Sequence, residues 1–329
     1  MLDRTLAYNI LYALAARDGR ESALFGTCAP LALLAFEQSL ACDDFPELWF
    51  ELPLLGEPWF DFHALASRES LRPDMTFDPK NCGGYPRVFE WFAAQKDVRQ
   101  LALSWDTGRG DVSHPAIQLL VSTRDPSVTC SFLEVAERGD AAPAYRSFVS
   151  RMPEGWYACY AGVFPGRAGH NLRVECIPSR QLQRAYVQDP ALMAEHLQQV
   201  GVHELGDTVV SRCQRMMQAP FPFEFQFDVE PDGSAGTTLG ASSRFDCPPG
   251  TDDYNAFDPE GAAGELMGQA QEWGLADDRW RLLAQTMFAQ HLSYGGKGVT
   301  LYCYPAFLKL RWHDGNPVDA KAYLIAGTQ

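Results

Sequence analysis

The sequence lacks the features that mark membrane-spanning and nucleic-acid-binding proteins. Its 329 residues contain no run of about 18 uncharged apolar residues, the minimum for a membrane-spanning helix. Positive charge is scarce, since 27 Lys and Arg stand against 42 Asp and Glu and the net charge is -15. Nucleic acid is then a poor partner, because phosphate binding needs a clustered basic surface. The N-terminus has no basic start or small-residue cleavage site, so we expect a soluble, cytoplasmic protein.

Motifs for several kinds of catalysis are also missing. The nine cysteines include no CxxC pair, which disfavours structural zinc and a disulfide framework. No GxSxG, HExxH or P-loop motif occurs, and the seven histidines show no metal-ligand spacing. The DDxxD motif of helical isoprenoid synthases is absent as well, because the Asp pairs at 43–44, 252–253 and 277–278 lack the third carboxylate. We therefore predict no metal ligands among the side chains.

What the sequence does contain is a repeated pattern of two strand-like runs, a turn and a helical stretch, which appears five times. Short turns make each pair of runs an antiparallel hairpin, and five hairpins alternating with helices can close into a barrel. We predict one α+β domain over residues 1–329, a ten-stranded antiparallel β-barrel surrounded by helices. The predicted pairs are 48–52 with 59–65, 101–105 with 116–122, 156–164 with 171–177, 223–229 with 237–245, and 300–312 with 318–326. Long helical regions are predicted at 180–217 and 262–291.

Polar and apolar side chains alternate along most of these runs, so each strand has one face of each kind. Residues 223–229, FEFQFDV, show the pattern most clearly. If helices cover the outside, the apolar faces meet them and the polar faces line a lumen. An open sheet with a solvated polar face is the alternative. A solvated face of so acidic a protein would not favour the basic residues that recur at polar positions, namely Arg173, Arg244, Lys309, Arg311 and Lys321.

Three local motifs, VFPGRAGHNLRVEC, FDVEPDG and NPVDAKAYL, lie in order on the third, fourth and fifth hairpins. Together with the repeat and the polar lumen, they resemble the cyanobactin-type peptide prenyltransferases, a branch of the ABBA, or PT, barrel superfamily. The resemblance implies a monomeric transferase of a dimethylallyl or longer prenyl group. Its expected partners are prenyl diphosphate, with Mg²⁺ carried mainly by the diphosphate, and a ribosomal peptide that enters at an open end of the barrel.

The resemblance also implies roles for luminal side chains. Loss of diphosphate needs fixed cations, and the allyl cation needs aromatic faces and exclusion of water. The cations on matching strands are Arg173, Arg244, Lys309 and Lys321, with Arg311 on the same face and Arg68 as a further candidate after the second strand. The expected shields of the prenyl cation are Trp49, Tyr157 or Tyr160, Phe307 and Tyr323.

For the acceptor, the resemblance places a luminal carboxylate near Glu51, which is expected to take the proton of the nucleophile. The same alternation adds Asp61, Glu175, Glu224 and Asp228. Part of this negative charge must pair with the luminal cations. The remainder suits a cationic acceptor, so a peptidyl arginine prenylated on nitrogen is one hypothesis. Prenylation of tyrosine, tryptophan or small aromatic metabolites is the second hypothesis, and a non-catalytic barrel that binds a hydrophobic anion is the third.

Overall fold

A computed structural model describes residues 12–13, 16–17, 20–26, 47–68, 71, 77, 82–107, 115–121, 123–165, 172–203, 205–245, 257–294 and 297–328. These residues form one antiparallel sheet with helices packed outside it. Three parts of the predicted hairpins lie outside the described residues: Ser122 at the end of one predicted strand, Asn171 at the start of another, and residues 166–170 in the turn before it. No helix of the described part is long and apolar enough to cross a membrane.

The sheet closes into the predicted ten-stranded barrel. Each strand pairs with the next along the chain from β1 to β8, then β8 pairs with β10, β10 with β11, and β11 with β1. The strands are β1 Glu47–Pro53, β2 Asp61–Ser67, β3 Val98–Trp105, β4 Ala116–Val121, β5 Trp156–Val163, β6 Leu172–Pro178, β7 Phe223–Val229, β8 Ala235–Arg244, β9 Phe288–Tyr294, β10 Lys297–His313 and β11 Asn316–Thr328.

Helices cover the apolar faces of the strands. Along β7, Phe223, Phe225 and Phe227 are fully buried, and the ring of Phe227 lies 5.4 Å from that of Phe148 on the outer helix α3. The polar side chains of β7 therefore point into the barrel, as the alternation predicted. The helices are α1 Pro86–Ala94, α2 Pro126–Val135, α3 Ala142–Arg151, α4 Arg180–Gln188, α5 Pro190–Gln199, α6 Asp207–Gln218 and α7 Ala262–Glu272.

The turn between β10 and β11 fixes the register of the longest hairpin. Asp314 and Gly315 both have positive φ, at 49° and 69°, as a two-residue type I′ turn requires. Before the turn, β10 is irregular between Pro305 and Phe307, because proline cannot donate a hydrogen bond to the neighbouring strand.

The prediction of one helical region at 262–291 was wrong. Helix α7 ends at Glu272, because Gly274 takes a positive φ and the amide of Leu275 turns back to the carbonyl of Ala270. A 3₁₀ helix, Asp278–Thr286, follows, and after it comes β9, a strand in addition to the ten that were predicted. This strand pairs with β10 over Lys297–Cys303, beyond the stretch of β10 that pairs with β8. The region 180–217 is likewise divided into α4, α5 and α6, since Pro190 begins a new helix and Gly201 has a positive φ.

Candidate active site

The lumen of the barrel is a cavity of about 460 Å³ lined by the polar faces of its strands. Most of the predicted site residues lie on its wall: Trp49, Glu51, Asp61, Tyr157, Arg173, Glu175, Glu224, Arg244, Phe307, Lys309 and Tyr323. Four predicted residues do not line the cavity: Arg68, Asp228, Arg311 and Lys321. Arg68 follows β2 immediately, and the other three form ion pairs at the opposite end of the barrel.

Ion pairs fill the end of the barrel at which β1 passes into β2, here called the β1–β2 end. Arg173 and Asp228 are directly opposed on β6 and β7 and form a bidentate pair, with Nε 2.7 Å from Oδ1. Both are buried, and although burial alone would lower it, the pKa of Arg173 is raised by the charge and hydrogen bonds of Asp228. Arg311 and Asp319 form a second pair at 2.7 Å, partly open to solvent.

The Arg173–Asp228 pair leads to a prediction about stability. Replacing Asp228 with Asn should lower the free energy of unfolding by about 3–5 kcal/mol, because it leaves a guanidinium buried without its counter-charge. Urea unfolding followed by circular dichroism measures the change. The matched control is Asp140→Asn, which removes a carboxylate that is largely exposed and pairs with Arg138 on the surface. The interpretation of Asp228 as a buried partner is wrong if both variants lose the same stability.

Lys321 holds the next pair of carboxylates. Its Nζ lies 2.8 Å from Oε1 of Glu51 and 3.4 Å from Oδ2 of Asp61, which face each other across β1 and β2. Burial raises the pKa of Asp61 to about 6, with Lys321 opposing the rise and Glu51 and Asp106 adding to it. The other oxygen of Asp61, Oδ1, is buried and has no hydrogen-bond partner among the described residues. Two carboxylates therefore share one ammonium group, with Asp106 close by on the cavity wall.

Glu51 stays ionised in this setting. Burial favours its neutral form, but Lys321, Lys309 and a hydrogen bond from His63 together hold its pKa well below the usual range. Nε2 of His63 lies 3.3 Å from Oε2 of Glu51, so both carboxylate oxygens have partners. Glu51 is thus a well-fixed anion and, because of its low pKa, a weak base.

Lys309 is a luminal cation that forms no ion pair with a carboxylate among the described residues. It is buried, and its nearest described polar partner is the hydroxyl of Tyr323, at 3.3 Å. Its direct neighbour across β10 and β11 is another lysine, Lys321. Burial lowers the pKa of Lys309 to about 8, and Arg173 and Lys321 oppose its charge further while Glu51 and Glu175 favour it. Such a site gains free energy by taking up an anion.

Three arginines lie towards the opposite end of the barrel. Nη1 of Arg244 is 3.4 Å from Glu224, and its guanidinium lies 4.8 Å from the ring centre of Phe307. Arg99 and Arg124 also line the cavity, and Arg124 lies 5.6 Å from the ring centre of Tyr157. Lys309 lies nearer the β1–β2 end, opposite Lys321, and together with these three arginines it makes up the luminal cations that we call the basic group. The sequence analysis missed Arg99 and Arg124, because one lies before and the other after the predicted strands of that hairpin.

An aromatic wall lies on the side of Lys309 that faces away from the β1–β2 end, since Phe307 precedes Lys309 on β10 and Trp49 precedes Glu51 on β1. The rings of Trp49 and Phe307 are 5.3 Å apart, those of Phe307 and Tyr323 5.5 Å, and those of Trp49 and Tyr323 6.4 Å. Together with Tyr302 and Ile325, these rings form an apolar cluster separate from the main core. The cavity thus combines cations, π-faces and an ionised carboxylate, which are the groups that ionisation of an allylic diphosphate and capture of its cation require.

No family model and no curated protein matches this sequence. Solved structures do resemble the chain. The prenyltransferase PriB in its apo form has a TM-score of 0.53 and 11% identity, over 97% of this chain and 95% of that one. The chain has the fold of the prenyltransferase barrels. The 5-dimethylallyltryptophan synthase of Streptomyces coelicolor aligns over 97% of this chain and 89% of its own, at 9% identity and a TM-score of 0.49.

The described residues include no group of three or more His, Cys, Asp or Glu side chains arranged to hold a metal ion. The luminal carboxylates have other partners: Glu51 and Asp61 contact Lys321, Asp228 contacts Arg173, and Gln226 donates to Glu175. These side chains do not fit a protein-held magnesium site. The association of Mg²⁺ with the diphosphate itself stays a prediction from the sequence, and no step below depends on it.

Proposed function

We propose that this protein transfers a prenyl group, dimethylallyl or longer, from its diphosphate to a side chain of a peptide. The observation that carries the proposal is the under-compensated Lys309 beside the aromatic wall, inside one cavity that also holds the ionised Glu51. Each part answers one need of the reaction: an anion site, a shield for an allyl cation, and an anchor for a nucleophile. The barrel fold shared with the prenyltransferase PriB supports the same proposal.

The basic group would bind the diphosphate. Lys309, Arg244, Arg99 and Arg124 supply four positive charges, of which only Arg244 has a carboxylate within reach, at the long distance of 3.4 Å, in the contacts described above. The prenyl chain would then lie against Trp49, Phe307 and Tyr323, with C1, which carries the diphosphate, beside Lys309 and within reach of an acceptor held at the β1–β2 end. As the C1–O bond breaks, its electron pair leaves with the diphosphate, where the buried ammonium group of Lys309 and the more exposed guanidinium groups stabilise the developing charge.

The remaining predicted cations would act differently. Arg173, Lys321 and Arg311 each hold a carboxylate, so we propose that they position Asp228, Glu51 with Asp61, and Asp319 rather than contact phosphate. Tyr157, beside Arg124, would flank the basic group. Arg68 does not line the cavity and stays a candidate for contact with the diphosphate from outside its wall.

The acceptor would bind at the β1–β2 end, where negative charge is in excess. Glu51 and Asp61 share one ammonium group, Asp61 has an unsatisfied buried oxygen, and Asp106 adds further negative charge. A guanidinium bound here would satisfy Oδ1 of Asp61 and offset that excess. We therefore propose a peptidyl arginine as acceptor, with Glu51 and Asp61 fixing its planar group. Glu175 and Glu224, further along the wall, would contact the rest of the peptide.

Turnover of radiolabelled dimethylallyl diphosphate tests the function. The protein should transfer label to a peptide from a panel of short linear and cyclic peptides. Label in free tyrosine or tryptophan, without label in any peptide, would instead favour a prenyltransferase of small aromatic metabolites. Binding of the diphosphate with no transfer to any acceptor would contradict the proposal and favour a barrel that only binds a hydrophobic anion.

A further inference from the structure

Three polar side chains on adjacent strands form a hydrogen-bonded chain in the wall of the cavity. Nδ1 of His63 lies 2.5 Å from Oγ of Ser104, and Nε2 of His63 lies 3.3 Å from Oε2 of Glu51. Strand register builds this arrangement, because His63 on β2 directly faces Ser104 on β3 and Trp49 on β1, with Glu51 one pleat further on. All three members of the chain line the lumen.

The partners determine which nitrogen of His63 carries the proton. Glu51 is ionised and can only accept, so Nε2 must be the N–H donor of the neutral ring. Nδ1 then has its lone pair towards Ser104, whose hydroxyl donates to it. This is the tautomer that an imidazole needs in order to take a proton from a hydroxyl, with a carboxylate stabilising the resulting imidazolium.

The proposed transfer needs such a proton acceptor. When a guanidinium nitrogen forms a bond to C1 of the prenyl group, one N–H proton must leave the acceptor. Glu51 is poorly suited to keep that proton, because Lys321, Lys309 and His63 hold its pKa well below the usual range. Lys321 is itself charged and paired, so it offers no free base.

We infer that His63 is the proton acceptor of the transfer and receives the proton through Ser104, while Glu51 holds the imidazole in the reactive tautomer. As C1 bonds to the acceptor nitrogen and the diphosphate departs with the electrons of the C1–O bond, the acceptor N–H gives its proton to Oγ of Ser104. The hydroxyl proton of Ser104 passes to Nδ1 of His63. The imidazolium formed lies against the carboxylate of Glu51 and loses its proton to solvent after the product leaves. This inference rests on the proposed function.

Other groups around His63 fit this role. Tyr323 on β11 and Trp49 on β1 border the ring at 6.1 and 6.3 Å between ring centres, and Asp61 on β2 interacts with its charge. Lys321 and Lys309 act on Glu51, the carboxylate that contacts the ring.

Replacing His63 with Gln tests the inference, since Gln keeps hydrogen-bonding groups but cannot take up a proton. We expect kcat for prenyl transfer to fall by about 100-fold to 10,000-fold. We also expect the acid limb of the wild-type kcat–pH profile to disappear, because the residue that must accept the proton is gone. Binding of an unreactive prenyl thiolodiphosphate should be unchanged, because no part of the basic group is altered. His203→Gln, at an exposed position, is the matched control and should keep the wild-type profile.

Ser104→Ala provides an independent test if the His63 variant folds poorly. It should slow transfer while leaving thiolodiphosphate binding intact, and His63→Ala should regain activity when imidazole is added to the buffer. An unchanged acid limb in His63→Gln, or wild-type kcat in both variants, would overturn the relay while leaving the proposed function standing. A wild-type protein that transfers no prenyl group to any acceptor would overturn the proposed function and the relay with it.

Discussion

Replacing Lys309 with Ala should lower kcat/KM for prenyl diphosphate by about 100-fold to 1000-fold, as expected for the loss of one preorganised charge that stabilises a developing anion. Arg244→Ala should give a smaller loss, because Arg244 is partly exposed and already contacts Glu224. Lys309→Arg keeps the charge and should recover part of the activity. Arg184→Ala, which removes an exposed cation on helix α4, is the control and should leave kcat/KM unchanged. Wild-type kinetics in Lys309→Ala would contradict the basic group.

The same residue predicts a pH dependence. Burial lowers the pKa of Lys309 to about 8, so its ammonium group is present below that pH and is lost as the pH rises through it. Only the charged form attracts the diphosphate. The dissociation constant for prenyl thiolodiphosphate should therefore increase above pH 8 in the wild type, and it should increase less in Lys309→Arg, since arginine stays charged. Titration of binding between pH 6.5 and 9.5 measures both.

The pH should affect the contribution of Lys309 to folding stability in the opposite direction from its contribution to diphosphate binding. The folded pKa of Lys309 lies below the ordinary value of 10.5, so between about 8 and 10.5 the unfolded chain holds more protons than the folded one. In this window the contribution of Lys309 to the free energy of unfolding increases with pH. Below pH 8 the buried charge costs stability, and bound diphosphate should offset that cost. Ligand-induced stabilisation should then be greater at pH 7 than at pH 9.

The barrel could be predicted from the sequence because the pattern that indicates each strand lies within that strand's own residues. Alternation in a run such as 223–229 assigns each side chain to a face without knowledge of the neighbouring strand. The turn at Asp314 and Gly315 is equally local, since both residues suit positive φ. The strand β9 gave no such signal, because it follows directly after a helix and a 3₁₀ segment and owes its form to pairing with the first half of β10.

Alternation also predicted that most of the site residues face the lumen, but it could not predict which charged side chains form ion pairs with one another. Whether Arg173 meets phosphate or Asp228 depends on the register between β6 and β7, which a long connection leaves undetermined in the sequence. The position of Arg99 depends on an irregularity of β3 between Val98 and Gln100, without which it would follow the outward face. Likewise, the contact between His63 and Ser104 follows from the pairing of β2 with β3, strands of two different predicted hairpins.

The acceptor should be chosen by charge. Among matched peptides that carry Arg, Lys, Tyr or Trp at one position, we expect the arginine peptide to have a kcat/KM at least about 100-fold above the tyrosine and tryptophan peptides. A pocket that holds buried hydrogen-bonding groups rejects substrates that leave those groups unpaired. Here the unpaired group would be Oδ1 of Asp61, next to the charges of Glu51 and Asp106. Lysine should be an intermediate acceptor, because its ammonium group cannot contact two carboxylates with planar, bidentate geometry.

Two variants show whether this preference arises at the β1–β2 end. Asp61→Asn should lower kcat/KM for the arginine peptide by about 10-fold or more, as loss of a charge-assisted contact costs, and should affect the tyrosine peptide less. Glu51→Gln should lower it further, because Glu51 both contacts the acceptor and holds His63 in its reactive tautomer. The control is Asp140→Asn, which alters an exposed carboxylate that does not line the cavity. Tandem mass spectrometry should locate the prenyl group on a guanidine nitrogen. Activity confined to tyrosine or tryptophan would eliminate the arginine proposal, and full activity of Glu51→Gln would remove Glu51 from the reaction.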